Sequence, residues 1–114
     1  MKRDSSVLLK HILESIDTIE SYLNNQTKEN FLDSKLLQDA IMRKIEVIGE
    51  AVKSISEEFK NSYPDIPWKK IASMRDVLIH EYFNVDTQLV WTITQKELPV
   101  LKNQIMDILD KLKS

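Results

Sequence analysis

The chain has no cysteine, a single glycine and three prolines among 114 residues, and only 7% of it is aromatic. Without cysteine there are no disulfides and no thiolate ligands, and the two histidines, His11 and His80, are too far apart for a local zinc-type cluster. Neither a metal nor a cofactor is therefore expected. Long apolar runs are missing as well, so nothing approaches the roughly 20 residues that span a bilayer. The start, Met1-Lys2-Arg3-Asp4-Ser5-Ser6, leads into a stretch that is polar again by Glu14 and carries no small-residue cleavage site. The expected location is cytoplasmic, away from membranes. An excess of charge is also absent: 16 Lys and Arg against 18 Asp and Glu give a net charge of −2. That balance argues against broad adhesion to nucleic acid but leaves room for a local basic site.

What remains is helix-forming material. Leu, Ile, Lys, Glu and Asp dominate, and 42% of the residues are hydrophobic, enough for one core. The expectation is one all-α domain over residues 1–114, a four-helix bundle with a kinked last helix. Leu8, Ile12, Ile16, Ile19 and Leu23 recur at helical spacing and define the first helix. Asn24 to Lys28 reads as a loop, which Phe31-Leu32 pins to the bundle before Asp33 or Ser34 caps the next helix. That second helix carries Leu37, Ile41, Ile45, Ile48, Val52, Ile55 and Phe59, with Leu36, Ala40, Val47 and Ala51 widening the stripe. A stripe this wide over about seven turns calls for two neighbours or a second subunit. Gly49, in mid-helix, weakens the helix by roughly 1 kcal/mol relative to Ala, which points to close approach by another backbone.

Pro67, placed after Asp65, suits the first turn of a third helix that runs to about His80. Asn84-Val85-Asp86 supplies caps for a last helix to the C-terminus, in which Pro99 clashes with the Gln95 carbonyl and predicts a kink.

The chemistry concentrates in Arg75-Asp76-Val77-Leu78-Ile79-His80-Glu81-Tyr82, with Lys69 and Lys70 upstream. On a regular helix Arg75 and Tyr82 share a face, whereas His80 points roughly 140° away from Arg75. The three converge only if the helix breaks near His80, or if a second subunit completes the site. As isolated residues they equally suit an ion pair for Arg75, a C-terminal cap for His80 and half-buried packing for Tyr82. Lys69 and Lys70 either guide a nucleic-acid backbone or form a solvated face beside a core Trp68. Arg43, Glu46 and Glu50 share one face of the second helix, where they form intrahelical pairs or line a cleft and orient Arg75. His11 and Asp39 read as solvated.

Arg, four residues, His, one residue, Tyr at a helix end resembles the signature of the HEPN superfamily, and of its HepT branch in particular. The segments Asp39-Ala40-Ile41-Met42-Arg43-Lys44-Ile45-Glu46-Val47-Ile48-Gly49-Glu50-Ala51 and Pro67-Trp68-Lys69-Lys70-Ile71 are similar to that branch too. The resemblance implies a homodimer whose motifs line one cleft, and a metal-independent endoribonuclease that acts as the toxin of a type VII toxin–antitoxin pair. It further implies that Tyr82 accepts AMP from a minimal nucleotidyltransferase antitoxin. Arg75 and His80 would then be catalytic and RNA the substrate. The alternative is a non-catalytic module that binds nucleotide or nucleic acid beside a nucleotidyltransferase; a bundle with a purely structural role is the third reading.

Overall fold

The computed structural model describes residues 4–78 and 85–113, and the regular elements among them are helical. Helix α1, Ser5–Leu23, starts where the Asp4 carboxylate accepts the Ser6 amide at 2.9 Å. That bond, with one from the Ser6 hydroxyl, holds the Asp4 carboxyl below its usual pKa. Leu8, Leu9, Ile12, Ile16 and Ile19 form its fully buried face. The chain then turns through Asn25 at φ 64°, a left-handed conformation that asparagine tolerates.

The segment expected to be loop contains a short helix, α2, Lys28–Asp33, capped by the Thr27 hydroxyl, which accepts the Asn30 amide at 3.0 Å. The pinning role of Phe31 holds: it is completely buried, with its ring 5.6 Å from that of Trp91. Ser34, rather than Asp33, caps α3, Lys35–Ser54, by accepting the Leu37 amide at 3.1 Å.

Helix α3 stops earlier than its apolar stripe predicts. Ile55 is buried but extended, and the Ser56 hydroxyl accepts the Phe59 amide at 3.2 Å to begin α4, Glu57–Ser62. A serine cap followed by two glutamates in a first turn favours a new start over continuation. The stripe therefore spans a corner while keeping Ile55 and Phe59 against the same core.

The helix expected from Pro67 to about His80 is likewise divided, into α5, Trp68–Ala72, and α6, Met74–Leu78. Ser73 is the break. Its hydroxyl donates to the Lys69 carbonyl at 2.6 Å, and its own carbonyl takes the Asp76 and Val77 amides, so one helix closes and another opens around it. The part of the prediction beyond Leu78 lies outside the described residues.

Asp86 caps α7, Thr87–Thr92, which leads through a π-helical turn, Ile93–Glu97, into α8, Leu98–Lys113. The disturbance expected from Pro99 is accommodated by this widened turn directly upstream. There the Leu98 amide reaches back five residues to the Ile93 carbonyl.

Helices α1 and α3 pack along each other, α8 lies against α1, and α5 and α6 lie against α3. Gly49 explains how closely: a methyl group there would sit 3.2 Å from the Ala72 carbonyl oxygen. Trp68, buried as expected, fastens α5 to α4. Its indole N–H is shared between the Lys60 and Tyr63 carbonyls at 3.1 and 3.0 Å. No helix among the described residues is long and apolar enough to cross a membrane.

Candidate active site

Arg75 sits two residues after the Ser73 break, where α6 packs against α3. Its Nε lies 3.4 Å from Oε1 of Glu46, and its Nη1 3.9 Å from Oδ1 of Asp76. The other carboxylate oxygen of Glu46, Oε2, lies 3.9 Å from Nη1 of Arg43. One carboxylate on α3 is thus flanked by two guanidiniums. The Arg75 side chain is 51% exposed, so the group is accessible and the ion pair contributes little stability, at most about 1 kcal/mol. Its consequence is orientation. With Nε turned toward Glu46, the far edge of the guanidinium fork remains able to receive an oxyanion.

The α3 residues named from sequence divide their roles. Arg43 and Glu46 make an intrahelical pair, and Glu46 also meets Arg75. Glu50 pairs with Lys53 at 3.5 Å and borders a groove of about 240 Å³ between α1 and α3, together with Arg43 and His11. His11 is exposed, and Asp39 meets Lys35 across one exposed turn at 3.5 Å.

Lys70 turns to Glu97 in the π-helical turn, Nζ to Oε1 2.9 Å, and so joins α5 to the last helical stretch. Lys69 is exposed. Among the described residues no three His, Asp or Glu side chains are grouped to hold a metal ion.

His80 and Tyr82, and with them the expected break near His80, lie outside the described residues. The flanks of their segment are defined. Leu78 is fully buried, and its carbonyl accepts the Asp86 amide at 2.8 Å. Asp86 in turn accepts the Leu89 amide at 3.0 Å as the cap of α7. The stretch that follows Arg75 therefore leaves from and returns to one point of the frame. Sequence reading foresaw Asp86 as a cap but missed its backbone bond to Leu78, because a contact eight residues apart between irregular positions leaves no periodic signal. The Ser73 break had only a weak signal, a serine in a helical run.

A family model described as Ribonuclease HepT-like matches residues 12–108. The chain is 48% identical over 112 residues to a Methanocaldococcus jannaschii protein named "Gamma-glutamylcyclotransferase and putative RNase", with 98% of the chain aligned to 50% of that protein. It spans only half the length of that relative. It is 43% identical over 108 residues to a "Putative RNase" of the same organism, covering 95% of the chain and 89% of the relative. It is 42% identical over 104 residues to the "Probable ribonuclease HepT" of Thermococcus cleftensis, covering 91% and 94%. No solved structure matches the chain. With the helical frame, the exposed Arg75 and these relatives together, the chain belongs to the HepT-like ribonucleases of the HEPN superfamily.

Proposed function

We propose that the chain is a metal-independent RNA endonuclease, the toxin of a type VII toxin–antitoxin pair, in which Arg75 and His80 carry catalysis and Tyr82 carries control. The observation behind this reading is the state of Arg75: half exposed, held by Glu46, and placed directly before the segment that bears His80 and Tyr82. RNA supplies its own nucleophile. A base removes the 2′-hydroxyl proton, the 2′-oxygen bonds to phosphorus, and the 5′-oxygen leaves with a proton, giving a cyclic phosphate and a free 5′-hydroxyl. Histidine, whose reference pKa is about 6.5, suits either proton transfer, and that role falls to His80. Arg75 bears the extra negative charge that builds on the phosphate.

The homodimer belongs to the same proposal. Leu36 on the widened stripe of α3 is 83% exposed, while Ala40 and Val47 are only half-buried, an apolar flank that suits a second copy. In the proposed control step the Tyr82 oxygen attacks the α-phosphorus of ATP held by the nucleotidyltransferase antitoxin. AMP is left on the tyrosine and pyrophosphate departs. An anion beside Arg75 then occupies the place of the substrate phosphate.

The test is cleavage of cellular RNA by wild type, Arg75→Ala and His80→Ala, with circular dichroism as the fold control. Both variants are expected to be folded and to lose most cleavage, with a small residual rate left in Arg75→Ala; equal survival of RNA with all three proteins refutes the nuclease reading. Intact mass after coexpression with the antitoxin should show AMP increments that Tyr82→Phe abolishes. Nucleotide binding by calorimetry without any RNA turnover would instead favour a binding module.

A further inference from the structure

The α3 carboxylate has a part of its own in this chemistry. Among the described residues, Glu46 is the acidic side chain that joins the Arg75 helix to α3, through Oε1 to Nε at 3.4 Å. A guanidinium on α6 alone can swing through several rotamers, because Asp76, its other partner among the described residues, is its chain neighbour, is 72% exposed and lies 3.9 Å away. A carboxylate on a second helix, 3.4 Å from Nε, limits that freedom. Among the described residues the Nη edge meets only the exposed Asp76 carboxylate, at 3.9 Å, and so remains open to the substrate.

A bare carboxylate in that place would repel RNA phosphates. Arg43 answers that objection: its Nη1 lies 3.9 Å from Oε2, so the Glu46 charge is balanced by Arg43 and not by Arg75 alone. The helix contact beneath is also fixed. Gly49, one turn after Glu46, brings α3 against the Ala72 carbonyl, three residues before Arg75.

We propose that Glu46 is the positioning residue of Arg75: it presents the guanidinium fork to the scissile phosphate and has Arg43 to neutralise its own charge. This rests on the nuclease reading above.

Single-turnover and steady-state cleavage of a defined RNA by wild type, Glu46→Ala, Glu46→Gln, Arg75→Ala and Glu46→Ala/Arg75→Ala separates the possibilities. Glu46→Ala should lower kcat roughly tenfold to a hundredfold, with KM unchanged or lower because a negative charge has left the cleft. Glu46→Gln should recover part of kcat, since its amide oxygen keeps the shape of the carboxylate beside Nε. In the Arg75→Ala background, Glu46→Ala should cost nothing further, as expected of a residue that acts through Arg75. Thermal melts of the same proteins establish that the folded fraction is unchanged.

A cleaving wild type with Glu46→Ala unaltered or faster overturns the proposal, as does an effect that simply multiplies in the double variant. A wild type that cleaves no RNA overturns the nuclease reading itself.

Discussion

Lys102 on α8 reaches two carboxylates on α1, Glu20 at 2.6 Å and Asp17 at 3.1 Å, and these hydrogen bonds, Glu20's first, raise its pKa above the usual 10.5. Because the pKa is higher in the folded state, the stabilisation is complete below the unfolded value and lost as pH rises through the folded one. Lys102→Met should therefore be less stable than wild type by about 1 kcal/mol at neutral pH, given the partial exposure of the site. The gap should close only above pH 10.5, as urea melts across pH would show. Such a pairing joins residues 82 positions apart, and charge composition alone gave no hint of it. Arg75 was different. Its residue type and its spacing to His80 and Tyr82 singled it out in the sequence as a candidate for the proposed chemistry. Glu46 was half legible, since periodicity placed it on a face with Arg43 and Glu50, but only the packing of α6 on α3 could select it from the three.

The helical periods of α1, α3 and α8 could be read because their buried positions repeat at three and four residues over many turns. The divisions at Ile55 and Ser73 could not, because at both places the apolar pattern continues across the corner and the core stays one cluster. Local hydrogen bonds by Ser56 and Ser73 decide where a helix ends, and serine also occurs within helices, as Ser15 in α1 does. Gly49 was legible in kind, as a close approach, though not in partner. Gly49→Val should force the Ala72 carbonyl away and destabilise the fold by about 2 kcal/mol. Chemical denaturation checks this, and a variant as stable as wild type would mean that α5 yields without resistance. Gly49→Ala is the gentler probe: the helix gains propensity while the α3–α5 contact is strained.

Over the whole molecule, one all-helical frame accounts for the core without help from disulfides, which the composition excludes. It does not account for the flank of α3. Leu36, near the start of that helix, stands almost fully in solvent on the stripe whose width already implied a further neighbour. Leu36→Asp should convert the proposed dimer to monomers without unfolding them, because an acid in the first turn of a helix is favoured by the exposed N–H groups there. Sedimentation of wild type and variant gives the answer, and a wild type that sediments as a monomer at micromolar concentration excludes this face as the dimer contact.

The bond from the Asp86 amide to the Leu78 carbonyl has a meaning for divergence as well as for architecture. Two posts, one rooted in the core through Leu78 and one in the cap of α7, are joined to each other at 2.8 Å. Under the proposed function, the stretch that bears His80 and Tyr82 can then be exchanged without remaking the frame. Chimaeras that carry residues 79–84 of different relatives on this bundle should inherit the donor's target preference while keeping the melting behaviour of the host.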